Sequence, residues 1–352
     1  MNKKLLGSTA LIGAALISST AMAEFKVGGD ITATYIFGGA DAASSTSSDN
    51  RIGNETNLKM SGSADLSNGW KAVYTGKAEF DGAATANPDH EYELQLQNGG
   101  MYVSFANDGG QTNKTMLTPF VSYPTSSSAN AITPTKSAFA ADTQIIGVAE
   151  SNNIGVGGKA AGGSWVVRYA PHAAASGSDG NDIDNITAEG GSGSGYLIAY
   201  SGTSGAMSVA AAYTVLSANQ ASASGVSDAK EKRIGVAYNF GKAKVGADYI
   251  DYTSGEDTIG TNDKKTILVG AAFSLNDQVT VGVYHQSTSD EKNGATTQDE
   301  DVRMISLGYN LGAGSVAVNV VDVEGASNGT TMCAAATNCD YQGILVTTKV
   351  GF

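Results

Sequence analysis

Cationic and anionic side chains at alternating positions are the residues here with chemistry to offer. Lys59, Lys71, Lys77, Glu79, Glu93, Arg168 and Arg233 lie in stretches of period two, each on the polar phase. Asp142 and Glu150 lie in a long irregular stretch between Pro119 and Asn152. Opposed fixed charges across a wet space create a transverse field that sorts solutes by charge and dipole. The expected arrangement puts Lys59, Lys71, Lys77 and Arg168 on one wall and Asp142 and Glu150 opposite them. The alternative is that these side chains are merely solvated.

Other chemistry finds less support. His90 and His172 fall in expected loops, and His285 lies at a strand end on the apolar phase. None has a nucleophile arranged around it, so neither an enzyme nor a cofactor is expected. Cys333 and Cys339 stand close together with only Asp340 nearby as a possible further metal ligand, so a small disulfide ring is favoured over a metal site. Closing so short a ring would stabilise by about 2 kcal/mol. "GVGGKA" (Gly155 to Ala160) touches a dinucleotide-binding pattern but precedes a turn and not a helix. "DGNDIDN" (Asp179 to Asn185) lacks the glycine and distal glutamate of a calcium loop and reads as plain loop acidity.

The elements that must carry these charges are strands. The last ten residues, "GILVTTKVGF", put Ile344, Val346, Thr348, Val350 and Phe352 on one face up to the terminus. Alternation of that kind recurs at 25–37, 57–66, 70–80, 91–106, 112–118 (weaker), 153–159, 165–170, 195–201, 207–215, 233–240, 244–252, 266–275, 278–286, 301–311, 315–323 and 343–352, sixteen strands in all. The phase slip at Asn98-Gly99-Gly100 is read as a bulge within the 91–106 strand.

Connections alternate between tight Gly/Asn/Asp turns and long polar loops, such as 38–56, 171–194, 216–232, 287–300 and 324–342. Sorting by parity makes one rim short and the other long. All five prolines are expected outside the strands. Aromatics gather at both strand ends: Phe25, Trp70, Phe105, Trp165, Phe240, Phe273, Tyr309 and Phe352 by the short turns, with Tyr35, Phe37, Phe80, Tyr92, Tyr169, Tyr196 and Tyr213 by the long loops. Two such girdles suit two membrane–water interfaces.

Residues 1–23 read as a signal peptide: a basic start, a short apolar run and Ala21-Met22-Ala23 before a cleavage point. Losing Lys3 and Lys4 takes the net charge from -13 to roughly -15. So acidic a chain offers no basic field for nucleic acid.

With these features in place, the chain resembles the Gram-negative general diffusion porins found in alphaproteobacteria. "NGWKAVYTGKAEF" (Asn68 to Phe80), "GGMYVSFANDGG" (Gly99 to Gly110), "GVAYNFGKAKVGADY" (Gly235 to Tyr249) and the terminal aromatic carry the likeness. The resemblance implies an all-β fold, a 16-stranded antiparallel transmembrane barrel over 24–352 with short periplasmic turns and long extracellular loops. It implies a third loop, 119–152, folded into the lumen as a constriction, although no acidic Pro-Glu-Phe-Gly-Gly stretch occurs there. Passive diffusion of small hydrophilic solutes and ions through the outer membrane would be the function, with the lipid bilayer and a homotrimer as partners. The alternative is a barrel acting as a surface adhesin or structural protein through its acidic loops.

Overall fold

The computed structural model describes residues 24–40, 50–81, 89–107, 152–173, 193–217, 229–253, 262–292, 295–326 and 339–352. Alternating side chains give each segment two unlike faces, and sixteen strands resolve them. The first half comprises β1 (Glu24–Ala40), β2 (Asn50–Asp65), β3 (Lys71–Asp81), β4 (Asp89–Asn98), β5 (Met101–Asn107), β6 (Asn153–Ala160), β7 (Gly163–Ala173) and β8 (Gly193–Ser204). The second comprises β9 (Met207–Ser217), β10 (Ala229–Asn239), β11 (Ala243–Thr253), β12 (Asn262–Ser274), β13 (Val279–Lys292), β14 (Ala295–Asn310), β15 (Gly314–Ala326) and β16 (Cys339–Gly351). Each strand pairs antiparallel with its neighbours, and β16 pairs with β1, closing the barrel. Closure leaves no open edge, the condition for a sheet to cross hydrocarbon. Apart from the 3-10 turn Ser67–Gly69, no helix occurs among the described residues.

The phases expected for the two faces are those observed. On β14 and β15, Ile305, Leu307, Val318 and Val320 point outward, whereas Ser306 and Asn319 point inward and are buried. A barrel inverts the logic of a water-soluble core, with its grease outside and its polar groups within.

Four expectations are corrected. The 91–106 stretch is two strands, β4 and β5, joined by a tight turn at Asn98–Met101 in which Gly99 (φ 58°) and Gly100 (φ 85°) both take positive φ. A two-residue hairpin turn of that type shifts the phase as a bulge does. Phe105 therefore lies at the long-loop end, in register with Ile154, which in turn faces Tyr169. Much of 50–56 and 287–300 is strand, with Ser287 paired to Asp301 and Asp290 to Gln298. Finally, Pro171 lies inside β7, where pairing to β8 slips between Ala170 and Ala173. A proline supplies no N–H to the ladder, and the slip accommodates it. The expected strand at 112–118 lies outside the described residues, as do residues 1–23.

The short-turn rim repeats one device. Asn239 Oδ1 accepts from Gly241 N–H and Asn310 Oδ1 from Gly312 N–H, each at 2.8 Å. Both glycines sit at positive φ, 88° and 89°. A β-branched residue resists that conformation. Gly312→Val is expected to lower barrel stability by about 1–3 kcal/mol, read as an earlier urea-unfolding midpoint in detergent.

Candidate functional site

The inner wall is where the charged residues converge, and cross-strand register decides which of them meet. On β1, Asp30 faces Asn57 of β2, one rung from Lys59. Its carboxylate accepts from Asn57 Nδ2 at 3.1 Å, Lys59 Nζ at 2.5 Å and Lys349 Nζ of β16 at 3.2 Å. One buried aspartate thus ties together three strands across the seam where the barrel closes.

A second cluster spans β3 to β7. Lys77 reaches Glu91 at 3.1 Å. Two residues on, Glu93 Oε1 accepts from Arg168 Nη2 at 2.5 Å, and Arg168 Nη1 donates to Asn153 Oδ1 at 2.7 Å. Arg168 and Glu93 are 0% and 1% exposed, so this pair is a desolvated one. Burial of a charge is tolerable only with such a partner and further hydrogen bonds. From Glu93 a ladder of amides runs toward the short-turn rim: Gln95 Nε2 donates to Glu93 Oε1 at 3.0 Å, and Gln97 Nε2 to Gln95 Oε1 at 2.7 Å.

Across the barrel, Arg233 is buried on β10, with Glu231 two residues away on the same face and Asp248 on the adjacent β11. Lys71, by contrast, is exposed at the short-turn end of β3. Glu79 is placed by its backbone, in register with Asn57 and Asp89. Asp142, Glu150 and Cys333 lie outside the described residues; Cys339 opens β16.

Sequence reading placed Lys59, Lys77, Glu93, Arg168 and Arg233 on one phase but opposed the cations to a loop. The partners found within the described residues come instead from other strands of the wall: adjacent ones for Lys59 and Lys77, and β4, three strands away, for Arg168. Asn153, Gln95 and Gln97 were not singled out by sequence. For the two glutamines the signal was present in the strict alternation Glu91, Glu93, Gln95, Gln97 along β4.

The outer face carries a small polar network above its apolar band. Arg303 donates to both carboxylate oxygens of Glu324 at 3.0 and 3.1 Å, and Gln342 donates to Asp322 at 2.9 Å. His285 lies 3.2 Å from Asp301 in the same row. His90 and His172 belong to β4 and β7, not to loops. Among the described residues no cluster of metal-ligating side chains occurs.

Comparison with known proteins agrees with the architecture. The family model "Gram-negative porin" matches residues 7–342. A triple mutant of the Rhodopseudomonas blastica porin superposes with a TM-score of 0.59 at 16% identity, covering 94% of this chain and 100% of its own. A five-substitution mutant of the same porin gives 0.58 at 16% identity with the same coverage. A chain described under "asymmetric conductivity of engineered proteins" gives 0.59 at 17%, again covering 94% and 100%. At such identities the likeness shows the fold. No curated protein sequence matches.

Proposed function

Because the chain belongs to the Gram-negative porin family, we propose that its charged inner wall governs which small hydrophilic solutes and ions pass. The protein is an outer-membrane channel for passive diffusion, and a barrel of sixteen strands is wide enough to hold an aqueous path. The observation that carries the proposal is the inward placement of Asp30, Lys59, Lys77, Glu91, Glu93, Arg168 and Arg233 on a closed sheet whose outward face is apolar. Most of these charges are matched by an opposite charge on a neighbouring strand. Local pairing of this kind leaves a weak net field and a modest preference between cations and anions. No catalytic role is assigned to any residue.

Several finer features belong to the same reading. Residues 1–23 act as a cleaved leader, supported by the Ala21-Met22-Ala23 motif ahead of Glu24, where β1 begins. Residues 119–152, within the stretch joining β5 to β6, form the constriction, with Asp142 and Glu150 facing the lumen beside Lys59, Lys71, Lys77 and Glu79. Cys333, between β15 and β16, and Cys339, the first residue of β16, form a disulfide. A homotrimer belongs to the same reading, supported by the family to which the chain belongs.

The experiment is conductance of the purified protein in a planar bilayer. Ohmic, long-lived unitary steps in KCl are expected, with swelling of liposomes in small sugars. A folded protein that inserts yet passes neither ions nor sugars would end the proposal.

A further inference from the structure

We propose that the short-turn mouth of the lumen holds a subsite for small oxyanions, carboxylate or phosphate, between β3 and β7. This rests on the reading of the barrel as a channel and names a class of solute it would detain. A cavity of about 450 Å³ opens there, lined at its floor by Gly99, Gly100 and Gly158. That volume suits a small organic acid or a phosphate with its water. Its charged lining residues are Lys71 and Lys159, and no carboxylate lines it.

Register explains the convergence. Lys71 faces Gln97, Gln97 faces Tyr102, and Tyr102 faces Gly157, one rung from Lys159 through Gly158. Lys159 Nζ donates to Ser164 Oγ at 2.7 Å, and an ammonium keeps two more protons to offer. No ion pair among the described residues engages Lys71 or Lys159; Asp65, opposite Lys71 in the β2–β3 register, and Glu24, whose carboxylate feels the Lys71 charge, both lie outside the cavity lining. Two lysines and no carboxylate line this cavity, which makes it an electropositive spot in an otherwise acidic protein.

A second, independent observation points the same way. Tyr102 lines this cavity, and its hydroxyl, packed against Gly157 beside the lining, is buried without a hydrogen-bond partner. A buried hydroxyl left unmatched costs free energy, and an arriving oxyanion would accept its proton. The amide ladder from Glu93 through Gln95 ends here at Gln97, which fixes that side chain against the cavity wall. Beside the cavity, a Cβ added to Gly158 would come within 2.8 Å of the Gly100 carbonyl and the Met101 sulfur, so β5 and β6 approach there too closely for a side chain.

The test uses the full-length protein in planar bilayers, with inorganic phosphate in one arm and succinate in the other. Either anion is expected to reduce the unitary KCl current saturably. In Lys71→Gln/Lys159→Gln the half-blocking concentration should rise at least about tenfold, the effect of losing two charge contacts. Lys71→Arg/Lys159→Arg, which keeps both charges, should stay near the parent. Block by only one anion upholds the subsite and identifies its preferred source. Unaltered current with both anions, or equal block in the double glutamine variant, overturns it. Absence of any conductance would overturn the channel reading and the subsite together, whereas conductance without block overturns the subsite alone.

Discussion

Arg168→Met should destabilise the barrel by about 3–5 kcal/mol, the usual result of removing one member of a buried ion pair. The guanidinium is fully buried and serves two strands at once, through Glu93 on β4 and Asn153 on β6. Without it the Glu93 carboxylate keeps its burial and loses its cation, which is where the cost arises. The double variant Arg168→Met/Glu93→Gln removes the stranded charge and should recover half or more of the loss. Urea unfolding in detergent micelles, followed by tryptophan fluorescence, measures both; Trp165 lies on β7 three residues from the substitution. A single variant within about 1 kcal/mol of the parent would show that this pair does not hold the wall together.

The origin of that pair shows what sequence could and could not convey. Phase alone put Glu93 and Arg168 on the same face, because side chains alternate with period two wherever one face meets hydrocarbon. Which charge meets which is a matter of register, and register joins positions 75 residues apart here and 313 at the Thr34–Thr347 seam bond. No local pattern reports such separations. Strand limits failed for a related reason. Beyond the membrane both faces are wet, so alternation disappears, and 287–300 reads as loop although β13 and β14 continue through it.

The described strands number sixteen, with one boundary moved. Gly99-Gly100 divides a stretch taken as one strand, while the expected strand at 112–118 lies outside the described residues. Parity of the connections survived because it depends on alternating turn chemistry rather than on any one boundary. The consequence for the channel is physical. Neighbouring-strand pairs such as Lys77–Glu91 brace the wall and neutralise it together, so the two lysines that line the short-turn cavity without a carboxylate beside them have more weight than their number suggests.

The closing seam supplies the other large effect. Gly29 of β1 exchanges two backbone hydrogen bonds with Phe352, both 3.0 Å, so the last residue is paired and does not fray. The ring of Phe352 lies over the space that a side chain at 29 would fill. An added Cβ would come 2.6 Å from Phe352 Cζ and closer still to the Asn57 carbonyl. The ring could swing away into lipid, but the carbonyl belongs to the β2 backbone and cannot move without opening the ladder. Gly29→Val is therefore expected to cost at least about 3 kcal/mol, beyond ordinary overpacking, because two strand pairings must shift. Gly53, also on β2, has nothing within 4 Å of an added Cβ, so Gly53→Ala should leave stability nearly unchanged. Folded yield on unheated gels and the urea midpoint read both variants. Equal values for the two would mean that the seam tolerates displacement, and that Phe352 is held by lipid rather than by its bonds to Gly29.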